Sequence, residues 1–148
     1  MALKPDRVEF LTDLSFFMNE TATRGQIVTH SSDGSGASMD DSSAKVIVAT
    51  GVGDLCAGLL LNDVVDLDLT RQHINFAKDE VQKGSKVLLL RQGTVVTNNI
   101  DGSTPSAGGK AYFDNAGKLT TTASSQQIGR WLSAKDADSY AKVEINIV

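Results

Sequence analysis

Two histidines, His30 and His73, and one cysteine, Cys56, make up the whole supply of imidazole and thiol in 148 residues. Neither histidine has a second His or a Cys at the spacing of a zinc centre, so no metal site is expected. Serine is abundant, but no Gly-x-Ser-x-Gly elbow presents one as a nucleophile. Gly51-Val52-Gly53 lacks the third glycine and the following helix of a dinucleotide fingerprint and reads as a β-turn. No phosphate-cradling GxxxxGK[ST] occurs. Asp63, Asp66 and Asp68 are the densest carboxylates, and Asp66 and Asp68 share a face of a strand-like run. Such a pair could hold Mg²⁺ or Ca²⁺, but the plainer reading is the solvated face of a half-buried strand. Asp33, Asp40 and Asp41 do not follow calcium-loop spacing. The expectation is therefore no catalytic residue, no metal and no cofactor.

The elements that would carry any site are short and β-like. KVIVAT at 45–50, the alternating run at 64–69, KVLLLR at 86–91, TVVTNNI at 94–100 and KVEINI at 142–147 are strand patterns. Gln92-Gly93 reads as a turn between two of them. Residues 110–113 and 118–122 form a hairpin around Asn115-Ala116-Gly117, whose final glycine suits a left-handed position. A further strand is expected at 128–132, where Trp131 reads as core or interface filling, and Cys56 reads as a small buried hydrophobe. Residues 71–83 are the least strand-like, a helical turn or a crossing loop. Residues 31–44, SSDGSGASMDDSSA, form a long Ser/Gly/Asp-rich loop.

The N-terminal segment is ambiguous in period. Val8, Phe10, Leu14, Phe16 and Met18 alternate with polar residues, but Leu11 and Phe17 break the alternation. It reads as an apolar arm (1–20) that must bury itself somewhere, ahead of a single domain at 21–148. Short strands punctuated by Gly, Asn and Asp define the fold class as all-β, a small barrel or sandwich.

The totals narrow the partners. A formal net charge of −4 with scattered acids and bases leaves no basic stripe for nucleic acid. The longest apolar runs, 57–61 and 87–90, fall far short of the roughly 20 residues that cross a bilayer, so no membrane partner is expected. Asp6 and Glu9 stand where a secretory leader needs an apolar run, and a lone cysteine fits synthesis in a reducing cytoplasm. Five Phe, two Tyr and one Trp, without interleaved basic residues, give little for stacking single strands or sugars.

Four phrases carry a resemblance: SFFMNE at 15–20, LLLNDVVDLDLTRQHINFAKDEVQKGSKVLLLRQGTVVTNNI at 59–100, AGGKAYFDNAGKLTTT at 107–122, and IGRWLSAKDADSYAKVEINIV at 128–148. In this order they resemble the small capsid decoration (cement) proteins of tailed bacteriophages, especially those of marine and cyanobacterial phages. The resemblance implies a β-rich, non-enzymatic protein on the outside of the virion head. It would bind the major capsid protein where capsomers meet, stabilise the shell, and act as a homo-oligomer, a trimer in preference to a dimer. Capsid or neighbour contacts are then expected from the arm (Val8, Phe10, Leu14, Phe16, Phe17 and Met18) and from Arg71, Gln72 and His73. Another virion subunit, such as a head-fibre base, neck or tail part, or a small-molecule or glycan-binding β-module, are the alternative readings.

Overall fold

The computed structural model describes residues 3–4, 6–31, 45–51, 53–63, 67–68, 73–74, 80–81, 83–84, 86–123 and 125–147. Every regular element among them is a strand: β1 (Val8–Met18), β2 (Ala22–Thr23), β3 (Ile27–Ser31), β4 (Lys45–Val48), β5 (Cys56–Asp63), β6 (Leu67–Asp68), β7 (His73–Ile74), β8 (Glu80–Val81), β9 (Lys86–Thr97), β10 (Lys110–Phe113), β11 (Leu119–Thr120), β12 (Gly129–Trp131) and β13 (Ala141–Asn146). The all-β expectation holds. The main sheet runs β1-β4-β3-β5-β9-β13-β12-β10-β11, and β1 also pairs with β9. That extra pairing closes β1, β4, β3, β5 and β9 into a ring, while β13, β12, β10 and β11 continue as a second sheet.

Strand β9 belongs to both halves. Its first part pairs with β5 as far as Leu90↔Leu59, and from Gln92↔Asn146 onward it pairs with β13. Its other edge carries β1 throughout, from Lys86↔Phe17 to Thr94↔Val8. Gln92-Gly93 is thus not the turn its composition suggests. It lies inside one 12-residue strand, where the partner changes. A Cβ at Gly93 would run into the Val8 carbonyl oxygen, so the glycine serves the close approach of β1.

Two cores follow from this division. Met18, Val28, Val46, Ala57, Leu60, Val87 and Leu89 come from the ring strands and fill its interior, with Ala22 and Val81 of the β2–β8 pair. Ile27, Leu59, Leu61, Leu90, Phe113, Leu119, Trp131, Val143 and Ile145 form the core shared with the second sheet. Strands β3, β5 and the first part of β9 feed both cores. That is why 57–61 and 87–90 are unbroken apolar runs: strands buried on both faces have no polar side to alternate with. In β13 one face only is buried, and Lys142, Glu144 and Asn146 alternate with Val143 and Ile145.

In the segment 71–83, β7 pairs with β6 (Asp68↔His73) and β8 pairs with β2 (Thr23↔Glu80), and Lys83 lies in the turn that follows. The Ser/Gly loop beyond Ser31, Asp66, and the rest of that segment apart from 83 lie outside the described residues.

Candidate functional site

Strand β1 explains its own broken alternation. Against β9 its register slips between Glu9 and Leu11, between Leu11 and Thr12, and between Asp13 and Phe16. Each slip is a bulge-like irregularity that interrupts the strict alternation of side chains between the two faces. The result is a strip of large apolar side chains in solvent: Val8, Phe10, Leu11 and Leu14, with Phe10 77% exposed. Residues 8–18 do not hang free as an arm; they are hydrogen-bonded into the ring.

The expected contact residues divide along this strand. Val8, Phe10 and Leu14 are exposed. Phe16 is half-buried against the ring interior, its ring 5.6 Å from that of His30. Phe17 is half-buried, with Lys86 Nζ 5.9 Å from its ring centroid. Met18 is fully buried inside the ring and offers nothing to a surface. Arg71 and Gln72 lie outside the described residues. His73 is described only as backbone in β7.

The ladder extends the strip into a face. Val8 stands opposite Thr94, Thr94 opposite Glu144, Glu144 opposite Arg130, and Arg130 opposite Lys110. Directly opposed residues share a face, so these five form one row across β1, β9, β13, β12 and β10. A parallel row holds Leu11, Gln92 and Asn146. The face is solvent-side because the alternate residues Trp131, Val143 and Val95 are buried beneath it. Gln127, Gly129, Arg130, Glu144 and Asn146 line a shallow polar hollow of about 310 Å³ on it. Sequence reasoning missed Leu11, Arg130 and Glu144. The exposed phase of KVEINI was a signal for Glu144, but cross-strand register is needed to bring Arg130 beside it.

Local electrostatics around the strip are modest. Arg7 Nε meets Glu9 Oε1 at 2.6 Å. Burial alone would raise the Asp13 carboxyl, but hydrogen bonds from the Ser15 hydroxyl and amide, with the charge of Arg91, hold it below the usual value. The Cys56 thiol is pushed up to about 12 by burial, which removes it as a nucleophile near neutral pH. Among the described residues no group of three or more His, Cys, Asp or Glu side chains could hold a metal ion.

The described residues thus form a closed ring with a second sheet, a strip of apolar side chains on the surface and a buried thiol. Residues 9–147 match the XM1 gp53 minor capsid protein family, and the chain belongs to it. It is a phage capsid protein, a structural component of the virion that associates with the capsid shell. No curated protein matches it.

Proposed function

We propose that this minor capsid protein decorates the outer surface of the phage head, binding the major capsid protein at capsomer junctions and stabilising the shell without catalysis. The observation that carries this reading is the β1 strip, where Val8, Phe10, Leu11 and Leu14 stand exposed on a strand held firmly by β9. Contiguous apolar side chains kept in solvent by an ordered backbone mark a surface that another protein covers. Each such side chain contributes about 1.5–3 kcal/mol when fully buried. A modest interface per copy is sufficient, because the shell repeats it many times and ligands of the assembled state stabilise it by mass action. Phe16 and Phe17 border the strip, and Arg71, Gln72 and His73 supply polar contacts in the same reading.

The test is co-sedimentation with undecorated heads, followed by cryo-EM of the decorated particles. The wild-type protein should saturate the head surface as a lattice, and Phe10→Asp/Leu14→Asp should fail to bind while melting at the wild-type temperature. Density confined to one vertex, neck or tail would overturn the decoration reading. Undiminished binding of the double variant would remove the strip from the interface.

A further inference from the structure

We infer that the outer face of β10, β12 and β13 docks onto an acidic patch of the major capsid protein, so that charge holds the head as well as the apolar strip. The inference rests on the head-surface reading and adds to it the chemistry of the partner. Positions 110, 130 and 142 are far apart in the sequence, and strand pairing gathers them. Lys110 stands directly opposite Arg130, Arg130 directly opposite Glu144, and Lys142 lies two residues along β13 from Glu144 on the same outward side. All four are exposed, while Ala111, Trp131 and Val143 beside them are buried. The face thus carries three cations against one carboxylate, in a chain whose formal net charge is −4. Among the described residues none of the three cations is held in an ion pair.

The Lys110↔Arg130 pair is the observation that points to an anionic partner. Like charges directly opposed on neighbouring strands cost stability, where opposite charges would add it. Glu144 offsets Arg130 from the β13 side only, and β11, on the far edge of β10, brings Leu119 and Thr120 and no acid. A carboxylate supplied from outside on the β10 side relieves the repulsion, and the Arg130 guanidinium can take it with two parallel hydrogen bonds. The hollow lined by Gln127, Arg130 and Asn146 gives such a side chain room to enter. The same row identifies the source of the acid as a protein. A polyphosphate gains affinity by tracking along many cations, and here Glu144 interrupts the row in its middle. The row then ends on Val8, beside the exposed Phe10 and Leu14. A protein surface that sets acids beside an apolar patch meets both halves at once, and its attraction to the basic face orients the approach.

The experiment is co-sedimentation of the full chain with undecorated heads over a salt series, with a double-stranded DNA mobility shift as the second probe. Wild-type binding to heads should weaken as salt rises. Lys110→Glu and Arg130→Glu should each weaken it about tenfold or more at low salt and flatten its salt dependence. Glu144→Gln removes the one acid of the face and should tighten binding, a change of opposite sign that a merely structural role would not produce. Lys110→Gln relieves the like-charge pair and should melt no lower than the wild type. If either reversal unfolds the chain, Lys110→Gln and Arg130→Gln replace it and should weaken binding in the same direction. Head binding that salt and all these variants leave unchanged would overturn this inference and leave the head-surface reading standing. A wild type that binds heads at no salt concentration would overturn both. A DNA shift by the wild type that Arg130→Glu abolishes would assign the face to nucleic acid and overturn the acidic-protein partner.

Discussion

The backbone amide of Ile27 donates to the carbonyl oxygen of Gly117 at 2.8 Å, and this bond joins the first ring strand after β1 to the tip of the β10–β11 hairpin. Asn99 reinforces it: its side-chain Nδ2 donates to Gly25 O at 2.9 Å and to Gly117 O at 3.2 Å. The hairpin tip is therefore a clamp between the closed ring and the second sheet.

Gly117 is the position at which that clamp is most easily broken. Its φ of 75° is left-handed, which costs an L-residue of order 1 kcal/mol, and an added Cβ would lie 2.8 Å from Val48 Cγ1 and 3.0 Å from Ile27 O. Gly117→Ala should lower stability by roughly 2–4 kcal/mol, combining that strain with overpacking against β3 and β4. Asn99→Ala should cost roughly 1–3 kcal/mol by leaving the Gly25 carbonyl short of a donor and the Gly117 carbonyl with the Ile27 amide alone. Urea unfolding of both variants measures this, and wild-type midpoints would mean that the tip is not part of the cooperative unit.

How much of this was legible in the sequence depends on whether the information was local. The hairpin was, because Gly117 must end a three-residue loop and the flanking residues alternate. The buried and exposed faces of β13 were legible for the same reason: Val143, Ile145 and Ile147 go in, Lys142, Glu144 and Asn146 stay out. Gln92-Gly93 misled, since glycine marks either a turn or a close backbone approach, and only the position of Val8 decides between them. The exposed strip of β1 was half legible. Val8, Phe10 and Leu14 stood out by period, but Met18 follows the same period and lies inside, because register slips against β9 reset the phase along the strand. The Glu144–Arg130 row was not legible, because no local pattern encodes which strands become neighbours.

Acid should loosen the structure through carboxylates that are held ionised. Hydrogen bonds from the Thr50 amide at 2.9 Å and the Gly51 amide at 3.0 Å hold Asp54 below its usual pKa. At Asp101 burial pushes the other way, but hydrogen bonds from Ser103 and Thr120 with the Lys135 charge outweigh it and the pKa is again lowered. For such groups the unfolded chain binds more protons at a given acid pH, so their stabilisation is complete above the unfolded value of about 4 and is lost as pH falls through the folded values. Urea midpoints should therefore fall from pH 5 downward, and Asp54→Asn should show a shallower fall over the same window. An Asp54→Asn profile parallel to the wild type would show that this carboxylate is not among the groups responsible.

Cys56 should behave as a core residue. It is 4% exposed, and burial pushes its thiol up to about 12. At pH 8 only roughly one thiol in ten thousand would be ionised, and the thiolate is the reactive form. Iodoacetamide should leave the native protein unmodified for hours by mass spectrometry and alkylate it within minutes in guanidinium chloride. Rapid labelling of the native chain would mean that the β3–β5 region opens readily, since Cys56 lies opposite Thr29.

Phe10 and Met18 belong to one strand, eight positions apart, yet should respond oppositely to truncation. Met18 is fully buried and stands opposite Val46, at the parallel β1–β4 pairing that completes the ring. Removing its side chain leaves a cavity, so Met18→Ala should cost about 2–5 kcal/mol in urea unfolding. Phe10 is 77% exposed, and Phe10→Ala should change stability by no more than about 0.5 kcal/mol. In co-sedimentation with undecorated heads the order reverses: Phe10→Ala should bind weakly, and Met18→Ala, at a temperature where it remains folded, should bind as the wild type does. Equal loss of binding in both would mean that the head recognises the closed ring as a whole; loss in Met18→Ala alone would place the contact at the ring's closing seam and not on the strip.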